Sequence, residues 1–208
     1  MLNLSKNFIS SFLLFASVAS LNANKGQGVD IGNEWRVLGD IKIGYVNYDY
    51  KNPSPGSSTV NKGHVDSKGF YTIPKVSIIS PTYNNFSVKT TVAGATDFGA
   101  NNPNNESRNI VFDSTNKESF AILQEIDMNY TDSNHNLTIG RQELETPLIE
   151  PDDYYMLANS YEAISYINTS LNNYTFHLGY ISRMAGVWDS GDNGEEFHSM
   201  SDTSFVDS

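Results

Sequence analysis

The stretch Glu34-Trp35-Arg36-Val37-Leu38-Gly39-Asp40-Ile41-Lys42-Ile43-Gly44-Tyr45 decides the fold. Trp35, Val37, Gly39, Ile41, Ile43 and Tyr45 share one parity; Glu34, Arg36, Leu38, Asp40, Lys42 and Gly44 share the other. Strict alternation is the mark of a strand with one apolar and one polar face. An ordinary strand of a soluble sheet runs to about 5–6 residues. A tilted membrane-crossing strand needs about 9–11, with an aromatic residue at each interface. This stretch has the length, and its apolar face has Trp35 at one end and Tyr45 at the other.

Working outward, the same pattern recurs. Phe70 to Thr82 is expected as a second strand, although Pro74 interrupts it, which points to an edge, a bulge or a shifted boundary. Phe86 to Ala95, Phe120 to Tyr130, Leu137 to Leu144, Tyr161 to Ser170 and Tyr174 to Ile181 complete seven. The connections alternate strictly in length. Tyr83-Asn84-Asn85, Ser133 to Asn136 and Asn172-Asn173 are short; residues 50–69, 99–118 and 145–160 are long, and another long one opens at Gly186. Short turns at one end and long loops at the other are the outer-membrane arrangement. The expectation is therefore an all-β, antiparallel transmembrane barrel of the porin type, its first strand running outward. It is incomplete, because bacterial barrels have an even number of strands and at least about 8.

The N-terminus differs in kind. Lys6, the apolar run Phe8 to Ala19 and the small residues after it have the order of a secretory signal, and the run is too short to span a bilayer as a helix. Cleavage is expected after Ala19 or after Ala23, so residues 1–23 are assigned to a signal peptide and 24–208 to the N-terminal portion of a barrel ending in an extracellular loop. No later segment carries a long apolar run, so membrane residence would require strands.

Composition removes several classes of function. The chain has 208 residues, a formal net charge of −11 and no cysteine. Such acidity argues against a nucleic-acid partner, which needs a basic face. The absence of cysteine excludes a disulfide scaffold and a thiolate metal site. His64, His135, His177 and His198 have no ligand spacing, and His135 in its tight turn is most simply solvated. No nucleophile elbow appears. Asp189 to Glu196 resembles a calcium loop, but Met200 stands where its twelfth-position acid belongs. No enzyme, cofactor or metal is expected.

Residues 137–148 (Leu-Thr-Ile-Gly-Arg-Gln-Glu-Leu-Glu-Thr-Pro-Leu), Asp152-Asp153, Asn159 to Ala163, Asn168 to Leu171, Leu178-Gly179-Tyr180 and Met184-Ala185-Gly186 resemble the OprD-type porin family. Gly44 to Tyr50 and Thr96 to Gly99 fit as well. The resemblance covers residues 34–190, and its most specific part is Gly140-Arg141-Gln142-Glu143-Leu144 with the following Thr146-Pro147. It implies a barrel of about 18 strands with a narrow passive pore for amino acids, peptides or small organic ions, of which this chain holds under half. Localisation would be the outer membrane of a Gram-negative cell. Partners would be small hydrophilic solutes and outer-membrane lipid; porins commonly form trimers, so a homotrimer is an open expectation for the full-length protein.

The family's third extracellular loop folds into the lumen. That loop is residues 145–160 here. Its acidic residues Glu145, Glu150, Asp152 and Asp153 would face basic wall residues, for which Arg36, Lys42, Arg141 and Arg183 are the candidates. Alternation from Leu137 and Ile139 points Arg141 outward, whereas the family pattern puts it at a strand–loop junction where a bulge or the end of the lipid band could free it. The loop's apolar residues, Pro147-Leu148-Ile149 and Tyr154 to Leu157, would pack on the inner wall. A non-conducting barrel serving as adhesin or anchor, and a hydrolase built on a barrel, are the competing classes.

Overall fold

A computed structural model gives the architecture. It describes residues 10–18, 29–30, 35–49, 67–101, 118–151, 157–186, 194 and 196–200. Every element among them is a strand: β1 (Ser10–Val18), β2 (Val29–Asp30), β3 (Arg36–Asp49), β4 (Ser67–Ile79), β5 (Phe86–Ala95), β6 (Phe120–Thr131), β7 (His135–Gln142), β8 (Ser160–Asn168), β9 (Phe176–Ala185) and β10 (His198–Ser199). They form one antiparallel sheet in chain order from β3 to β10, with β1 and β2 both paired to the free side of β3. All seven expected strands are present as β3 to β9. The sheet is open: β1 and β10 stand at its two ends.

Three elements, β1, β2 and β10, lie outside the sequence expectation. The apolar run assigned to export lies, in the uncleaved chain, as β1 along β3, from Ser10 opposite Asp49 to Val18 opposite Ile41. Lys6, Ala19 and Ala23 are outside the described residues. After the loop that opens at Gly186, β10 returns beside β9, with His198 opposite Met184 and Ser199 opposite Arg183.

The turns follow local chemistry. Asn84 (φ 47°) and Asn85 (φ 71°) both occupy the left-handed region, and Tyr83 and Phe86 exchange backbone bonds of 2.8 and 2.9 Å. That is a two-residue turn of the type that matches strand twist, and asparagine tolerates it best after glycine. The turn after β6 is held by Asp132, whose carboxylate accepts the amides of Asn134 (2.9 Å) and His135 (2.8 Å). These bonds, that of Asn134 first, hold the Asp132 carboxyl below its ordinary range. His135 is not simply solvated: its Nδ1 lies 2.7 Å from the Tyr166 hydroxyl and 3.1 Å from Asn168 Nδ2.

Pro74 sits inside the sheet, in a strand paired on both sides. Thr72 exchanges backbone bonds with Thr96 beyond the end of β5, so residues of its parity direct their amide groups toward β5. Pro74 shares that parity, and regular β4–β5 pairing begins only at Lys75. The pairs Thr72–Thr96 and Lys75–Ala93 share one register, so Pro74 falls opposite Gly94 and its missing donor leaves a ladder bond unmade there. Two irregularities bend the sheet further: β6 carries Gln124 as an extra residue opposite Thr91/Val92, and β9 carries Ser182 opposite Glu162/Ala163.

Register separates the two faces. On one, Val88, Met128, Ile139, Ile164 and Tyr180 form a continuous row across five strands. They are 45%, 44%, 40%, 47% and 69% exposed. Ile41, Val76, Ile78, Val92, Ile126 and Phe176 extend this apolar outer face and are likewise exposed, while Ile43 shares its register but is half-buried. Near the short-turn end it carries Trp35, Phe86, Tyr130, Tyr166 and Phe176, with the Phe86 and Tyr130 rings 5.0 Å apart. The exposed apolar side chains of this face run across strands β3 to β9.

The opposite, inner face is where side chains are buried, and many of them are polar: Ser77, Thr91, Glu125, Asp127 and Gln142 beside Tyr71, Ile73 and Ala93. Lys75 of β4 reaches Glu143, just past β7. Three strand spacings in a flat sheet would be about 14 Å, so the contact requires the sheet to bend around this face. Gly44 lies under the Tyr71 ring, and a Cβ there would meet Tyr71 carbon at 2.4 Å.

Candidate functional site

The inner face gathers charge because alternate positions of β4, β5 and β6 carry Lys75, Lys89, Glu125 and Asp127. Thr91 pairs with Glu125 and Lys89 with Asp127 in the register, so the two carboxylates stand next to one another along β6. Lys89 Nζ donates to Glu125 Oε1 at 2.7 Å, and Thr91 Oγ1 donates to Glu125 Oε2 at 2.6 Å. Ser77 Oγ lies 2.7 Å from Thr91 Oγ1. Lys75 pairs with Glu143, whose amide donates to Glu125 Oε1 at 3.4 Å. A buried carboxylate with a cation and two further donors is compensated as buried charge requires. Further along, Gln142 Nε2 donates to the Ala163 carbonyl at 3.1 Å, and Gln142 Oε1 accepts Ser165 Oγ at 2.6 Å.

The segment between β7 and β8 folds onto this face. Leu144 and Leu157 are buried, and Ile149 packs against the cluster of Leu144, Tyr161, Ala163 and Met184. Thr146 and Ile149 exchange backbone bonds, the Tyr161 hydroxyl donates to the Glu150 carbonyl at 3.2 Å, and Asn159 N donates to the Pro151 carbonyl at 2.5 Å. Gln124, the extra residue of β6, ties the returning chain: its Nε2 donates to the Ala158 carbonyl at 2.9 Å, and its carbonyl accepts Ser160 Oγ. Between this segment and strands β7 to β9 lies a recess of about 520 Å³, with Thr138, Glu143, Glu145, Ser165 and His177 among its lining.

The expected site residues divide. Glu145 and Glu150 are exposed on the folded segment. Asp152, Asp153 and Tyr154 to Met156 lie outside the described residues. Of the expected apolar anchors, Ile149 and Leu157 pack, but Leu148 is 94% exposed. Arg36 and Lys42 share the inner-face register with Ile79 and Ile73, Arg36 exposed and Lys42 half-buried. Arg141 and Arg183 lie elsewhere: the register sets both beside Glu162 on the outer face, in line with Ile139 and Ile164. Alternation gives Arg141 its outward face, with no bulge in β7 to turn it inward, and it stands at the strand–loop junction one residue before β7 ends at Gln142.

Sequence reading missed Lys75, Lys89, Glu125, Asp127 and Glu143 as one group. The signal was partly present, since Glu125 and Asp127 occupy the polar parity of β6. What joins them to Lys89 is a register set across the long connection between β5 and β6, which no sequence spacing fixes. Comparison of the chain with family models, with characterised proteins and with solved structures found no match.

Proposed function

We propose that this chain is part of an outer-membrane β-barrel of the OprD-type porin kind, through which small hydrophilic solutes diffuse passively along a narrow charged pore. The observation that carries the reading is the polarity of one sheet. Its outer face carries a broad, mostly exposed apolar band, while its inner face is charged, hydrogen-bonded and partly covered by an inward-folded segment. A soluble domain reverses this order, and lipid outside with water inside accounts for it. In the full barrel the inner face lines the lumen. Lys75, Lys89, Glu125, Asp127 and Glu143 form a wall network, and Glu145 and Glu150 stand on the loop that narrows the passage. Charges held close together in a constriction select ions by electrostatics at short range.

Uptake into liposomes tests this reading. Vesicles carrying the full barrel of which this chain is a part should swell in an isosmotic amino acid or small sugar and remain unchanged in a large oligosaccharide. Vesicles that contain folded protein yet exclude both solutes would favour a non-conducting anchor or adhesin.

A further inference from the structure

At the long-loop ends of β7, β8 and β9 three charged side chains lie in one row on the outer face. The register sets Arg141 beside Glu162 and Glu162 beside Arg183. Arg141 Nε donates to Glu162 Oε1 at 2.9 Å, and Arg183 Nη1 approaches the same oxygen at 3.4 Å. The Arg141 guanidinium sits 4.2 Å above the centre of the Phe197 ring, and its Nη1 donates to the Leu123 carbonyl at 3.3 Å. Arg183 Nη2 donates to the Phe197 carbonyl.

An ion pair alone does not explain the row. Two guanidinium groups share one carboxylate, so the row is net positive on a chain whose formal charge is −11. It also continues the apolar band: Arg141 stands two residues past Ile139, and Glu162 two before Ile164. Each guanidinium carries five N–H donors, and the bonds above leave donors on both. The Arg183 side chain is 45% exposed. Cations at the end of a lipid-facing band reach the headgroup layer by extending along their apolar stems.

We infer that this row docks the phosphate of a phosphorylated lipid in the outer leaflet, with the lipid's acyl chains lying along Ile139, Ile164 and Tyr180. The inference rests on the outer-membrane reading above, which sets the long-loop ends toward the cell exterior. Guanidinium groups recognise phosphate through parallel N–H···O bonds, and two held side by side present a wider donor surface than one. Glu162 plays two parts: it aligns the arginines, and its negative charge opposes the phosphate.

The test is a titration of the detergent-purified full barrel of which this chain is a part, read by native mass spectrometry. The probes are bis-phosphorylated lipid A, the same lipid without phosphates, and inorganic phosphate. Heat-modified migration on a gel reports folding of each variant. Arg183→Gln should weaken binding of the phosphorylated lipid about tenfold, the scale of one lost charge-assisted contact. Glu162→Gln should strengthen it about threefold by removing the opposing charge. The dephosphorylated lipid should bind all forms equally, and millimolar inorganic phosphate should not displace the lipid, because it lacks the apolar contacts. The inference is overturned by equal wild-type affinity for the two lipids, by an Arg183→Gln variant that binds normally, or by phosphate displacing the lipid. Weaker binding in Glu162→Gln would mark the row as an ion-pair staple, and loss of an oligomer with lipid retention intact would mark it as a subunit contact. A protein that conducts but shows no phosphate preference sinks this inference alone; failure to conduct or to reach the outer membrane sinks the reading beneath it.

Discussion

Met128→Arg tests the identity of the outer face most sharply. Met128 is 44% exposed, with Val88 opposite it on β5 and Ile139 opposite it on β7, both similarly exposed. No carboxylate shares its row. An arginine there would add a charge to the middle of the apolar band. If that band contacts hydrocarbon, the expected cost is about 2–4 kcal/mol. If it contacts water, a surface substitution away from special features costs about 0.5 kcal/mol or less. The control is one residue away: Asn129→Arg points to the inner face, where the lost bond from Asn129 Nδ2 to Thr138 Oγ1 (2.8 Å) is worth about 0.5–1.5 kcal/mol. The assay is reversible urea unfolding in phospholipid vesicles, with tryptophan emission as the probe. Equal costs at Met128 and Asn129 would refute the face assignment.

Other expectations concern the inner face and the backbone. Lys89→Met should destabilise the protein by about 3 kcal/mol, because the buried Glu125 carboxylate loses its closest cation; adding Glu125→Leu should recover part of the loss in the same unfolding assay. Gly140→Ala should cost at least about 1–3 kcal/mol, since Gly140 has φ 129° and a Cβ there would lie 2.3 Å from the Ile126 carbonyl oxygen; a neutral result would contradict the observed close approach of β6 and β7. Glu145→Gln with Glu150→Gln should reduce cation preference, seen as a reversal-potential shift under a salt gradient, while leaving unfolding unchanged. The Asp132 carboxyl is held low by the Asn134 and His135 amides, so its contribution is full above the ordinary carboxylate pKa of about 3.9 and is lost as pH falls through the lower folded value. Hydrogen-exchange protection of those two amides should therefore persist at pH 5 and fade only in stronger acid.

Much of the architecture was legible because a strand with two different faces writes its period directly into the sequence. Phe86 to Ala95 has the same bounds in sequence and structure, and the short connection Tyr83-Asn84-Asn85 is where the chain turns. The turn at Asp132 to His135 was short enough to carry the β6–β7 register, which is why alternation placed Arg141 correctly beyond Ile139. Long connections carry no such information. The pairing of Lys89 with Glu125 depends on β5 meeting β6 across residues 96–119, and on Gln124 being an extra residue within β6. Pro74 pointed to an edge, a bulge or a shifted boundary; the structure sets it inside the sheet, opposite Gly94, where it leaves one β4–β5 bond unmade. β10 was illegible for a simpler reason: two residues, His198 and Ser199, contain no period.

The most direct measurement is the current through a planar lipid bilayer exposed to the purified full barrel of which this chain is proposed to be a part; residues 24–208 alone, an open sheet, should leave the current at baseline. Discrete, long-lived conductance steps in symmetric salt are expected from the full barrel, with a reversal potential showing cation preference and a weakening of that preference in Glu145→Gln with Glu150→Gln. A folded, membrane-inserted full barrel that leaves the bilayer at baseline current would contradict the pore reading.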